Sequence, residues 1–184
     1  MATSQTEVSV DASRPDGAGP GATAINLPSG RFSGRSQFTQ IVRDALAGAA
    51  REGWREIIIS DASFEDWPLG ELAVVESLRA WSRTGRRLTV LAVNYDELYQ
   101  RHARFVTWRR MWAHVIECRR CAAADPVQLP SAVWSPAWAL RRLDLERSTG
   151  ICGSDPLRGL QVREALTEWL RQSTPGFPAS TLGL

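Results

Sequence analysis

Three polar residues stand beside the apolar runs that could form the centre of a sheet. Asp61 follows the run 54–60, Asp96 comes shortly after the run 88–93, and His114 begins a third run that ends at Cys118. Ligands bind beyond the carboxyl ends of parallel strands, where two carboxylates can hold a metal or act as acid and base. One hypothesis is therefore an enzyme of unrecognised type with Asp61, Asp96 and His114 in its site. Helix capping and loop hydrogen bonding explain the two aspartates equally well, and no acidic residue completes a triad with His114 and Cys118.

A second set of residues combines positive charge with aromatic rings. All 22 basic residues of the chain are arginines, and four of them lie close in sequence to two tryptophans. The set consists of Trp108, Arg109, Arg110, Trp112, Arg119 and Arg120. Such an Arg/Trp surface could stack on bases and neutralise phosphates, so a second hypothesis is a nucleic-acid-binding protein. The tryptophans could instead pack against the sheet or a dimer partner, and a net charge of +2 does not by itself indicate nucleic acid.

The cysteines and the glycine-rich motifs point to neither a metal nor a cofactor. An odd number of cysteines (Cys118, Cys121 and Cys152) argues against a disulfide framework, and the CxxC pair at 118–121 has no second pair to complete a zinc ribbon. The chain contains no GxxxxGK[ST], no GxGxxG after a strand and no GxSxG. We therefore predict no metal, no cofactor and no catalytic residue of these types.

The elements that must position these residues alternate along the chain. Apolar residues at helical spacing begin near Ser36, and Gly53 ends that helix; buried runs then alternate with helices that begin near Asp66 and near Asp96. This α-β-α-β-α-β order predicts an α/β fold whose mostly parallel sheet is flanked by helices. Shorter strands then form a hairpin that turns at 148–150, and a last helix begins at Asp155.

Composition divides the chain into an arm and a domain. Residues 1–33 are rich in glycine, proline and serine and show no periodicity, which predicts a disordered N-terminal arm, and residues 34–184 form the α/β domain. The N-terminal residues contain no apolar segment of the kind found in secretory signals, and no run approaches the roughly 18 apolar residues of a membrane span. We expect a cytoplasmic protein that does not contact the membrane.

The hairpin and the helix after it resemble one half of the phospholipase D superfamily. In that family a His-x-Lys-x-x-x-x-Asp motif lies on such a hairpin and is followed by Gly-Ser just before a helix. The matching frame here runs from Ala139 to Glu146, and Gly153-Ser154 follows at the usual interval. The segments 60–61, 66–69 and 177–184 are also similar to those of an uncharacterised group of bacterial proteins with a degenerate form of this fold.

The resemblance implies a fold without the family's chemistry. Ala139 occupies the position of the nucleophilic histidine, while Arg141 keeps a positive charge and Glu146 keeps a carboxylate. Arg141, Glu146 and Ser154, together with Asp61 at the sheet edge, are the predicted ligand-binding residues for a phosphate-bearing ligand. Because single-half members of the family dimerise, the resemblance also implies a homodimer. The leading hypothesis is a non-catalytic binding or assembly module.

Overall fold

A computed structural model describes residues 27–84, 87–122 and 125–179 of the chain. From α1 to β4, helices and strands follow the alternation that the apolar periodicity predicts, and the four strands from β4 to β7 come in direct succession. Their order is β1 (Gly30–Phe32), α1 (Arg35–Glu52), β2 (Glu56–Asp61), α2 (Leu72–Ser82), β3 (Arg87–Ala92), α3 (Asp96–Arg101), α4 (Ala103–Met111), β4 (Ile116–Arg120), β5 (Ser131–Trp134), β6 (Ala139–Asp144), β7 (Thr149–Gly153), α5 (Pro156–Gln172) and β8 (Thr174–Pro175).

Within the described ranges, the strands form one mixed sheet in the order β1-β7-β6-β5-β2-β3-β4-β8. The pairs β2–β3 and β3–β4 are parallel, because a helix carries the chain back between these strands. The other five pairs are antiparallel. The α/β class and the flanking helices are thus confirmed, as is the hairpin of β6 and β7. The prediction of a mostly parallel sheet is wrong, since strands after β4 add to the sheet by reversing direction.

Helices cover the sheet unequally on its two faces. The larger core lies under α1, α2 and α4, and the smaller one lies under α5. Alternate residues of the central strands face opposite cores: Ile57 and Ile59 belong to the larger, and Ile58 belongs to the smaller. This explains the unbroken apolar run of β2, which is buried on both faces.

Two helix boundaries differ from the prediction. We predicted that Asp66 would cap the second helix, but α2 begins at Leu72. The carboxylate of Asp66 instead contacts the guanidinium groups of Arg35, at 2.7 Å, and Arg142, at 3.2 Å. The third predicted helix is broken at His102 (φ −116°, ψ 47°), which separates α3 from α4. The end of α1 is as predicted, because Gly53 adopts the left-handed conformation at φ 71°.

The predicted disordered arm is partly ordered. Residues 30–32 form the edge strand β1, which pairs antiparallel with β7. Residues 1–26 of the arm lie outside the described residues, as do residues 180–184. In the part of the chain that the structure describes, no helix is long and apolar enough to cross a membrane.

Candidate functional site

Strand β6 sends its predicted functional residues to two different faces of the sheet. Ala139 belongs to the smaller core with Val162 and Leu166 of α5. Because side chains alternate along a strand, Arg141 shares that face, whereas Arg142 points to the α1 side. There the Arg142 guanidinium carbon lies 4.4 Å from the ring centre of Phe38. Neighbouring arginines therefore have different surroundings.

Arg141 and Glu146 line an open cavity of about 520 Å³ between the hairpin and the loop 127–131, which we call the hairpin cavity. Arg141 is half-buried and Glu146 is exposed. Among the described residues, neither side chain takes part in an ion pair. The two charged residues that the resemblance aligns with the catalytic motif are therefore not paired with each other in the described structure.

Ser154 lies at a separate hollow of about 260 Å³ beside the start of α5. Ala139 is fully buried on its wall, and the guanidinium of Arg163 lies 4.4 Å from the ring centre of Trp134. Asp155 caps the helix as predicted: its carboxylate accepts hydrogen bonds from the backbone N–H groups of residues 157 (2.9 Å) and 158 (3.3 Å). Ser154 and Arg141 therefore line two separate cavities.

Asp61 is held on the other face of the sheet. Its Oδ2 accepts a hydrogen bond from Nη2 of Arg142 at 2.9 Å, and its Oδ1 accepts from the backbone N–H groups of Ser63 (3.1 Å) and Phe64 (2.9 Å). Asp66 accepts from the same guanidinium. Both oxygens of Asp61 are thus engaged within the protein, and Asp61 does not join the other three predicted ligand-binding residues.

One row of residues across β1, β7 and β6 was not predicted from the sequence. Arg31 stands opposite Ile151, and Ile151 stands opposite Arg141. Residues directly opposite in antiparallel strands share a face, so the two arginines flank Ile151, with their Cα atoms about 10 Å apart. Arg31 is exposed, and in the described ranges neither arginine has an acidic partner. We call Arg31, Ile151 and Arg141 the arginine row. No sequence signal pointed to it, because β1 lay in the predicted arm.

The predicted site of Asp61, Asp96 and His114 is not formed. Asp61 ends β2 and Asp96 follows β3, whereas His114 precedes β4, which runs parallel to β3. His114 therefore lies at the opposite end of the sheet, where it lines a hollow of about 580 Å³ with Arg55 and Arg87. A strand of this length spans roughly 17–20 Å, so His114 cannot act with the two aspartates.

The residues of the predicted Arg/Trp surface do not share one exposed surface. Trp108 is fully buried, and Arg109 is buried with its Nε donating to Sγ of Cys118 at 3.1 Å. Arg119 donates to the Oγ (2.9 Å) and the carbonyl oxygen (2.5 Å) of Ser173. Arg110 and Arg120 are exposed and Trp112 is half-buried, so the six residues are divided between interior and surface and do not form one continuous base-stacking surface.

The two cysteines of the CxxC pair lie in different cores. Cys118 belongs to the larger core and Cys121 to the smaller one, on opposite faces of the sheet. Burial raises the pKa of both thiols, and it raises the pKa of Cys152 to about 11. Among the described residues, no group of three His, Cys, Asp or Glu side chains could hold a metal ion.

The fold is similar to that of known solved structures. One such structure is that of TrmBL2, an archaeal chromatin protein, and it is described as showing a novel mode of DNA binding. The match has a TM-score of 0.61 at 15% sequence identity and covers 84% of this chain. The chain spans 56% of the length of that protein. No protein-family model and no curated protein matches the chain.

At this level of identity, the likeness to TrmBL2 concerns the fold alone. It supports the assignment of the mixed α/β architecture over most of the chain. What the residues of the arginine row and the hairpin cavity bind has to be argued from their own chemistry.

Proposed function

We propose that this protein is a non-catalytic, nucleic-acid-binding module with a phospholipase-D-like fold. The arginine row is the observation that carries the proposal. Two guanidinium groups without an acidic partner in the described ranges, one exposed on the edge strand β1 and one half-buried on β6, are suited to contact successive phosphates of a nucleic-acid backbone. The DNA binding reported for TrmBL2, which shares the fold, supports this choice of ligand.

The packing around Ala139 supports a binding role over a catalytic one. Ala139 stands opposite Gly153 on one side and Trp134 on the other, and its methyl group is fully buried. A covalent phosphodiesterase route needs a nucleophile at this position, and an alanine methyl group cannot attack phosphorus. His102 is engaged elsewhere, 3.1 Å from the carbonyl oxygen of Phe64.

The proposed interface contacts the phosphate backbone and does not stack on bases. The side chains of Trp108 and Trp138 are buried and cannot stack on bases. The arginine row itself consists of two charged side chains and one aliphatic side chain. Binding of this kind is independent of sequence and strongly dependent on salt. Three buried thiols suit the reducing cytoplasm in which we propose that the protein acts.

Fluorescence anisotropy with a labelled DNA duplex, repeated over a series of salt concentrations, tests this function. Replacing Arg31 or Arg141 by glutamine should weaken binding severalfold and lower the slope of log K against log salt by about one. Arg83→Gln is the matched control, because Arg83 is an exposed arginine that follows α2, far across the sheet from the row. Binding that ignores salt, or that falls equally in all three variants, would exclude the arginine row as the interface.

A further inference from the structure

Helices α2 and α4 lie side by side on the same face of the sheet as α1, with an open groove between them. A cavity of about 290 Å³ lies in this groove. The residues that line it come from both helices, and we call them the helix groove: Leu72, Val75, Arg79, Ala103, Arg104 and Thr107. On each helix these residues recur three or four positions apart, so their side chains lie on the sides of α2 and α4 that face each other.

The two helices run in the same direction, because each carries the chain back between parallel strands. Their first turns are adjacent. A methyl group on Gly70, just before α2, would lie 3.0 Å from Nδ1 of His102, just before α4. Leu72 and Ala103 therefore stand at the same end of the groove. The eleven residues of α2 make the groove about 16 Å long, or three helical turns.

The helix groove has an apolar floor that is open to solvent. Val75 is buried at its base, whereas Leu72 is 56% exposed. Met111, one turn beyond Thr107 on α4, is 55% exposed and extends the apolar strip to the other end. Large apolar side chains exposed together mark interaction surfaces, and methionine adapts to apolar partners of varied shape.

The rims of the helix groove are positively charged. Arg79 on α2 and Arg104 on α4 are both exposed, and neither has an acidic partner in the described ranges. One nitrogen of Arg104, Nη1, donates to the carbonyl oxygen of Gly70 at 3.2 Å. Glu76 is the single acidic residue of α2, it does not line the groove, and α4 contains no acidic residue. The groove therefore presents a positive charge on both sides of its apolar floor.

We propose that the helix groove binds an acidic amphipathic helix of a partner protein. Such helices lie in grooves through apolar residues at positions i, i+3 or i+4, and i+7, which suits a floor about three turns long. Carboxylates beside the apolar residues complement Arg79 and Arg104 across the interface. A nucleic-acid backbone is polar and charged, and would leave Leu72 and Met111 without an apolar partner.

This inference goes beyond the proposed function and does not depend on it. The arginine row lies on the α5 face of the sheet, whereas the helix groove lies on the opposite face, so the two surfaces have no residue in common.

Fluorescence anisotropy of the full chain with a labelled synthetic peptide tests the groove. The probe is a helical peptide with leucines at positions i, i+4 and i+7 and glutamates on both sides of them, and a second peptide has lysines in place of the glutamates. We expect saturable binding of the glutamate peptide and at least tenfold weaker binding of the lysine peptide. Leu72→Ser should weaken binding of the glutamate peptide tenfold or more, the scale of one leucine side chain withdrawn from water. Leu143→Ser is the matched control, because Leu143 is 64% exposed on the hairpin and does not line the groove.

Reversal of the rim charges gives a gain of binding that general damage to the fold cannot produce. The double substitution Arg79→Glu, Arg104→Glu should lose the glutamate peptide and bind the lysine peptide more tightly than the wild type does. Both residues are exposed, so the circular dichroism spectrum should not change.

The remaining outcomes overturn the inference. They are the absence of binding, equal binding of the two peptides by the wild type, and an equal loss in Leu72→Ser and Leu143→Ser. A second copy of the chain is the occupant if Leu72→Ser abolishes self-association in sedimentation. Nucleic acid is the occupant if the double variant loses duplex DNA as strongly as Arg31→Gln does. Duplex DNA binding that depends on Arg31 alone leaves the proposed function standing, whatever the peptides show.

Discussion

Arg142 is the residue that ties the hairpin to the rest of the sheet. Its guanidinium joins β6 to Asp61 at the end of β2 and to Asp66 in the loop before α2, and it lies against the ring of Phe38 in α1. A buried ion pair adds little net stability over an apolar replacement, because both charges lose their hydration. Removing one partner is different, since the other charge remains buried and alone.

Replacement of Arg142 by methionine should therefore be strongly destabilising. We expect the free energy of unfolding to fall by about 3–5 kcal/mol, because Asp61 keeps its buried charge without a counter-ion. Urea denaturation followed by circular dichroism measures this change. The neighbouring substitution Arg141→Met is the control and should cost no more than about 0.5 kcal/mol, as Arg141 is half-buried and has no ion pair in the described structure. Similar losses in both variants would contradict the role given to Arg142.

His102 makes stability depend on pH. Burial lowers the pKa of His102 below its ordinary 6.5, outweighing the hydrogen bond to the Phe64 carbonyl, which raises it. The unfolded chain therefore binds a proton at higher pH than the fold does, so stability is fully present above about pH 6.5 and declines as the pH falls below it. Denaturation midpoints at a series of pH values should show this decline in the wild type and lose it in His102→Gln. A profile unchanged in that variant, or altered equally by replacing the exposed His114, would refute the assignment.

At the scale of elements, two glycines show how differently strand and helix tolerate a side chain. Gly150 lies on β7 between Phe32 of β1 and Arg142 of β6, and a methyl group there would collide with the Phe32 ring and the Arg141 carbonyl oxygen. Gly159 lies in α5, where a methyl group would meet no atom within 4 Å. The space around each glycine therefore decides whether a side chain is tolerated at that position.

We accordingly expect opposite effects from the same substitution. Gly150→Ala should destabilise the protein by about 1–3 kcal/mol or more, because β1 and β6 must move apart. Gly159→Ala should stabilise it by about 0.5–1 kcal/mol, because alanine loses less backbone entropy in a helix. Thermal unfolding of the two variants measures both changes. A neutral Gly150→Ala would show that β1 does not pack closely on β7 in solution.

At the scale of the molecule, the homodimer implied by the resemblance stays a prediction. Helix α5 exposes Leu157 and Leu160 one turn apart, 65% and 54% accessible, which gives such a dimer an apolar contact surface. Sedimentation equilibrium should give twice the chain mass for the wild type. The double substitution Leu157→Ser, Leu160→Ser should give the monomer with an unchanged circular dichroism spectrum. A wild-type chain that sediments as a monomer at micromolar concentration would refute the dimer.

The local pattern of the sequence predicted most of the helices and strands, but few of the contacts between them. The spacing of Phe38 and Leu46 indicated α1, and Gly53 marked its end, because these are properties of a few neighbouring residues. The start of α2 was missed because Asp66 contacts Arg142, which is 76 residues away. Strand β1 was missed because residues 30–32 have little apolar character of their own and take their conformation from pairing with β7.

The sequence by itself determined the α/β class, the hairpin with its following helix, and the alanine where a nucleophile would stand. Those features depend on residue type and on short-range periodicity, and both can be read from the order of neighbouring residues. Only the tertiary structure decided that Arg142, and not Arg141, pairs with Asp61, that Trp108 is buried, and that Arg31 lies beside Ile151. Each of these depends on which strands pair and in which register, and a shift of one residue would send every side chain to the other face.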